Sequence, residues 1–136
     1  MKEIVVTCNG CFDGITPAHL YLFGYALAQG TSLVIGINSD DYIRRHKRIP
    51  PFFTEQERSE KLRRLPFVKD VVVFRDEGPQ GFIQSVMPDV HCCGQEYAVG
   101  KCKEEQLCYD LHIKLVYVPM VGDIWSSTKA NGESVL

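Results

Sequence analysis

Between positions 9 and 19 the chain reads Asn9-Gly10-Cys11-Phe12-Asp13-Gly14-Ile15-Thr16-Pro17-Ala18-His19. Glycines in such a run let the backbone pass close to a ligand. Thr16 is a good N-cap and Pro17 suits a first helical position, so the free N–H groups of a new helix face the same space. His19 falls in the first turn of that helix, where an imidazole can reach the same anion. These residue types at this spacing make a phosphate site. A second group stands at Trp125-Ser126-Ser127-Thr128-Lys129. Three hydroxyls at a helix start make an anion cradle, although a plain N-cap also explains them. Trp125 offers a ring for stacking on a base or for packing.

Both groups need elements to carry them. Ile4 to Thr7 is a short β-branched run ending at Cys8-Asn9-Gly10, which reads as a buried strand. The helix opened by Thr16-Pro17 continues through Leu20, Phe23 and Leu27 and stops at Gln29-Gly30. Leu33 to Ile37 is a second strand. Thr54-Glu55-Gln56-Glu57 matches a capping box and starts a helix that runs through Leu65, before Pro66. Val71 to Phe74, Val90 to Cys93 and Leu115 to Val118 read as further strands, with helices at Pro79 to Val86 and near Lys103 to Leu111. The stretch from Arg44 to Arg48 reads as a basic loop containing His46. Strands alternating with helices predict one α/β domain over residues 1–136, a Rossmann-like five-stranded parallel sheet with helices on both faces. Ligands of such sheets bind at the carboxyl ends of strands, near a switch in strand order. Both phosphate-binding groups follow strands.

Composition sets the outer bounds. The 136 residues are 45% hydrophobic and 24% charged, which excludes a disordered or collagen-like chain. No apolar run approaches the ~20 residues of a membrane span, and the start turns polar too soon for a signal peptide. A cytoplasmic protein with no membrane partner is the expectation. Net charge is −2, yet residues 44–69 hold nine of the fifteen basic side chains against three acids. A local basic concentration on an acidic body suggests a phosphate-bearing small molecule more than a nucleic acid. The plain alternative, a solvated helix face, suits Lys61 and Arg64.

Cys8, Cys11, Cys92, Cys93, Cys102 and Cys108 invite a disulfide or metal reading. Without a secretory signal a disulfide framework is not expected. Cys92 and Cys93 alternate in direction on a strand, so no metal site is expected either, and buried free thiols are the reading preferred. Redox chemistry at Cys8 and Cys11 would require a thiol of low pKa. His91, on a strand, and His112, near a helix end, read as structural or exposed.

Gly10, Phe12, Asp13 and His19 stand at the spacing of a known signature, G-x-F-D-x-x-H-x-G-H, that of the cytidylyltransferase-like nucleotidyltransferases, which this segment resembles. Thr16 takes the first histidine position and Ala18 the glycine, a form similar to the T-x-G-H of phosphopantetheine adenylyltransferases. Trp125 to Lys129 resembles the I-S-S-T segment of the same family. The resemblance covers almost the whole chain. Gly36 to Asp40, Arg44 to Arg48 and Glu55 to Arg58 are similar to glycerol-3-phosphate cytidylyltransferases and to the adenylyltransferase half of ADP-heptose synthases. Gly78-Pro79-Gln80, Met87-Pro88-Asp89 and Gly94-Gln95-Glu96-Tyr97 favour the latter.

The resemblance implies transfer of CMP or AMP from CTP or ATP to a phosphorylated small molecule, with release of pyrophosphate. It implies that His19 donates to the α-phosphate and that Thr16 adds a hydrogen bond. Lys47 and Arg58 would hold phosphates, and Arg44 and Lys47 those of the acceptor. Gly10, Cys11, Phe12, Asp13, Ala18, Gly94, Glu96, Trp125, Ser126, Ser127 and Thr128 would line the nucleotide, with Mg²⁺ bridging the departing pyrophosphate. Asp13 is expected to position the loop rather than touch that ion. Cys93 stands where the family often has lysine. A homodimer is also implied. The branch as a whole supports cytidylyl transfer to a glycerol-phosphate-like acceptor, which is the reading preferred by a slight margin, and the middle of the chain supports the alternative, a heptose-1-phosphate adenylyltransferase. A nucleotide-binding module without catalysis, suggested by Thr16, Ala18 and Cys93, is the rival from another class.

Overall fold

The computed structural model describes residues 2–47, 49–94 and 102–119. Five strands form one sheet: β1 (Val5–Gly10), β2 (Ser32–Asn38), β3 (Val68–Phe74), β4 (Val90–Cys93) and β5 (Lys114–Tyr117). Their order is β3-β2-β1-β4-β5 and every neighbouring pair is parallel. The expected Rossmann-like sheet is therefore present. The chain moves outward from β1 on one side through β2 to β3, then returns to the other side at β4. That reversal puts a crevice between the carboxyl ends of β1 and β4, where ligands of open α/β sheets bind.

Alternation along the strands sorts side chains onto two faces. Val6 and Cys8 of β1, Leu33 and Ile35 of β2, and Val90 and Cys92 of β4 face one core. That core is closed by α1 (Pro17–Leu27), through Leu22, Phe23 and Ala26, and by α3 (Glu55–Arg63), through Leu62. The opposite face gathers Val34 and Phe74 under α4 (Gln80–Val86) and α5 (Glu105–Asp110), which contribute Phe82, Ile83 and Cys108. Helix α4 ends at Met87, whose φ of 49° is left-handed and stops the helix. Gly36 is required on this face: a Cβ there would stand 2.7 Å from the Phe82 ring.

Two expectations are corrected. The basic stretch is not a loop, because α2 spans Asp40–Lys47. It has no apolar periodicity to reveal it, since Ile43 is its one buried residue. Ser39 starts it by accepting from the Tyr42 N–H, and acids in the first turn with bases in the last suit the helix dipole. Second, Cys93 and Cys102 are joined as a disulfide, not held as free thiols. Cys8, Cys92 and Cys108 are buried free thiols as expected. Burial pushes the Cys8 thiol above its ordinary range, Cys92 to about 12 and Cys108 to about 11. That is the opposite of the low value redox chemistry at Cys8 would need. No helix among the described residues is long and apolar enough to cross a membrane.

His91 is fully buried on β4, with Nδ1 2.8 Å from Thr7 Oγ1 on the adjacent β1. Burial lowers its pKa from 6.5 to about 4. Between those values the unfolded chain binds the extra proton, so stability falls as pH drops from about 6.5 towards 4, by up to ~3 kcal/mol. Denaturant titration of the wild type should show this loss. His91→Gln should flatten the dependence over that window, and an unchanged slope would mean another group sets it.

Candidate active site

The loop after β1 is shaped from below. Phe12 adopts φ 48°, a left-handed backbone unusual for a large side chain, and its ring is buried against Phe23 at 5.0 Å. The ring lies over Gly10, where a Cβ would come within 3.0 Å of it. Gly14, at φ 96°, lets the chain turn into the helix. Ile15 is also buried, so the loop is pinned at both ends by apolar side chains.

His19 is held by this arrangement. Thr16 caps α1, its hydroxyl accepting from the His19 backbone N–H at 3.4 Å. In return the Thr16 backbone N–H donates to His19 Nδ1 at 3.2 Å. With Nδ1 an acceptor, the neutral ring carries its proton on Nε2. The edge of the imidazole rests against Phe12, with centroids 5.1 Å apart. Burial lowers the His19 pKa, a bond with the Gly14 backbone opposes this, and the positive charge of Lys47 lowers it further. Lys47, exposed at the end of α2, is thus one source of the field at His19.

Arg58 does not. It was expected to hold ligand phosphates, and the structure turns it inward. It is 1% exposed. Its Nη1 donates to the Cys11 carbonyl at 2.9 Å and to the Asn38 carbonyl at 2.7 Å. Its Nε donates to the Phe53 carbonyl at 3.0 Å, and Nη2 to Asp40 Oδ1 at 2.7 Å. Burial resists ionisation of Asp40, but the bond and charge from Arg58 outweigh it and hold the carboxyl below its usual range. Asp13 makes a parallel stitch: its oxygens accept the N–H groups of Phe52 at 2.6 Å and Phe53 at 2.8 Å. The structural role expected for Asp13 has this physical form.

Other bases of the basic segment are also engaged. Arg45 pairs with Asp41 and Glu77, His46 contacts Glu77 while stacking on Tyr42, Arg63 meets Asp70 and Lys69 meets Glu3. Lys61 lies over the Phe53 ring. Arg44 and Lys47, three residues apart on α2, stay exposed. Cys11 donates to Asn38 Oδ1, and Ala18 is buried at the start of α1. Among the described residues nothing lies within 4 Å of where a Cβ on Gly94, just after β4, would stand. Glu96, Trp125, Ser126, Ser127 and Thr128 lie outside the described residues. Sequence reasoning missed the Arg58–Asp40–Asn38 network because its acceptors are mainly carbonyls, which have no residue code.

Removing Arg58 leaves Asp40 and two strand-end carbonyls without their donor. Arg58→Met should cost about 3–5 kcal/mol in chemical denaturation. Arg58→Lys should recover only part, because one ammonium cannot reproduce the planar fork. Full recovery by lysine would mean that charge alone matters there.

The geometry is matched by likeness to known proteins. A family model described as cytidylyltransferase-like matches residues 7–133. The bifunctional protein HldE of Koribacter versatilis is 37% identical over 130 residues, covering 93% of this chain and 26% of that protein. The HldE protein of Helicobacter pylori (strain HPAG1) is 38% identical over 113 residues, 82% of this chain and 24% of its own. The chain spans about a quarter of the length of these relatives. Among solved structures, the lipopolysaccharide core biosynthesis protein of Thermoplasma volcanium GSS1 shares the fold. Its TM-score is 0.75 at 21% identity, over 88% of this chain and 99% of that one. With the loop, the helix start and the histidine in the places its signature demands, the chain belongs to the cytidylyltransferase-like family of nucleotidyltransferases.

Proposed function

We propose that this chain transfers AMP from ATP to a sugar 1-phosphate of the heptose type, releasing pyrophosphate. The observation that carries the nucleotidyl-transfer part is His19, fixed through Nδ1 at a helix start and within the field of Lys47. The adenylyl part rests on the segments around Gly78, Met87 and Gly94, which resemble the adenylyltransferase half of ADP-heptose synthases, and on the likeness to HldE proteins. Cytidylyl transfer to a glycerol-phosphate-like acceptor is the weaker reading on both counts.

An oxygen of the acceptor phosphate attacks the α-phosphorus in line, and the bond from that phosphorus to the β-phosphate bridging oxygen breaks. The acceptor is already ionised at neutral pH, so the chain's task is positioning and charge stabilisation. His19 donates from Nε2 to the α-phosphate as charge builds there, and the first N–H groups of α1 face the same oxygens. Thr16 fixes the ring and adds its hydroxyl proton. Arg44 and Lys47 receive the acceptor phosphate, while the open space at Gly94 leaves room for a base. Ser126, Ser127 and Thr128 are assigned to the leaving pyrophosphate. Magnesium supplies charge neutralisation when bound to the triphosphate. Asp13 is the only carboxylate between Asn9 and His19, and its oxygens are already clamped to backbone N–H groups. The ion is thus assigned to the nucleotide's own oxygens, and Asp13 to the loop.

Pyrophosphate release should be measured with ATP and with CTP, each paired with heptose 1-phosphate and glycerol 3-phosphate. Turnover with ATP and the sugar phosphate alone is expected. CTP turnover would restore the cytidylyl reading, and nucleotide binding with no turnover would favour a binding module. In the productive pair, His19→Ala should lower kcat about 10²–10³-fold with little change in KM for the nucleotide. Lys47→Ala should instead raise KM for the acceptor about tenfold or more. Equal losses in kcat and nucleotide binding for His19→Ala would remove its transition-state role.

A further inference from the structure

The α4–α5 side of the sheet holds a cluster that the proposed reaction does not use. Cys93 ends β4, Cys102 precedes α5, and Glu104 stands at the start of that helix. All three are buried, at 3%, 5% and 5% exposure. Their ligand atoms lie within 4.8 Å of one another, and Cys102 Sγ is 2.6 Å from Glu104 Oε2. Among the described residues no ion pair reaches Glu104. Lys103 acts on it only from beyond ion-pair distance, and a buried carboxylate without a paired cation is expensive, for which a cation is the usual remedy. A surface cleft of about 440 Å³, lined by Cys102, Lys103, Glu105, Gln106 and Tyr109, gives access from solvent.

We propose that, in the dithiol state, Cys93, Cys102 and Glu104 bind one thiophilic divalent cation of the zinc class, and that the disulfide is the metal-free state of the same site. Two sulfurs and one carboxylate oxygen are a donor set that suits zinc and discriminates against magnesium. An ion held by three protein ligands would take solvent as its fourth, and the cleft reaches Cys102. A low-molecular-weight thiol opens the site by exchange. Two such thiols become a disulfide, and the protein's disulfide becomes two thiols. Binding of the cation then releases both thiol protons to water, with no change in the ion's oxidation state. A low-molecular-weight disulfide reverses the process: the protein sulfurs are oxidised, two small thiols are formed and the cation leaves. The bound ion ties the carboxyl end of β4 to the start of α5, as the disulfide does, one residue from Gly94.

The test is independent of any transferase activity. Full-length protein is reduced with a phosphine, freed of reductant without oxygen, and titrated with Zn²⁺ against a chromophoric chelator. One ion per chain is expected. Cys93→Ser and Cys102→Ser should each weaken binding at least ~100-fold, and Glu104→Gln about tenfold. Oxidised glutathione should release one ion per protein disulfide formed. If a serine variant fails to fold by circular dichroism, Glu104→Gln and the oxidation arm decide. Zinc binding by reduced wild type no tighter than by Cys93→Ser/Cys102→Ser, or retained after disulfide formation, overturns the proposal.

Discussion

The buried guanidinium of Arg58 is the constraint on which the rest of the site depends. In a parallel sheet the last carbonyls of each strand run out of neighbouring N–H donors, and below a ligand crevice water cannot always replace them. Arg58 supplies those donors for Cys11 at the end of β1 and Asn38 at the end of β2. It also ties in the Phe53 carbonyl and the Asp40 carboxylate at the start of α2. Four segments that meet nowhere else in sequence are thus fixed to one rigid plane. Asp40 is held in turn by Glu55, which accepts its backbone N–H and pairs with Arg75. The charge of Arg58 is spent inside the fold, and that is why it cannot also serve a ligand.

The loop above that plane is set by packing more than by hydrogen bonds. A left-handed backbone at a residue with a side chain costs about 1–2 kcal/mol. At Phe12 the burial of its ring against Phe23 offsets this. The same ring fills the space that the missing side chain of Gly10 leaves, and presents its face to the edge of His19. The direction of the imidazole therefore follows from the hydrophobic core. The reciprocal bonds between Thr16 and His19 then select the tautomer. Thr16, standing at the position of the first histidine in the wider family pattern, fixes the helix start through its cap.

What was legible in the sequence is what short-range physics determines. The β-branched runs gave the strands, and Thr16-Pro17 and Thr54 to Glu57 gave two helix starts, because capping and alternation are local. Strand boundaries moved by a few residues, as at β3, which begins at Val68 where pairing with β2 extends it past the apolar run. Helix α2 escaped detection because Ile43 alone faces the core and its stability comes from charge at both ends. The inward turn of Arg58 could not be read from an isolated basic residue, since its partners are backbone carbonyls 5 to 47 residues away. The meeting of Cys93, Cys102 and Glu104 was equally hidden. Cys92 and Cys93 do point to opposite faces, and only the return of the chain into α5 supplies partners for one of them.

The charge arithmetic of the basic segment changes meaning once the structure is known. Nine bases in twenty-six residues suggest a positive patch, but Arg45, Arg58, Arg63 and Lys69 are each paired with a carboxylate. Among the described residues of α2, Arg44 and Lys47 stay exposed, a local field rather than a broad one. Burial and the Lys47 charge both disfavour protonation of His19. In the empty site those groups therefore work against each other. On the proposed reading, a bound phosphate would relieve that opposition: its charge would be attracted to Lys47, and it would accept from His19 Nε2 without requiring the ring to ionise first. The field that keeps the histidine neutral is thus the one that the proposed reaction would use to hold an anion.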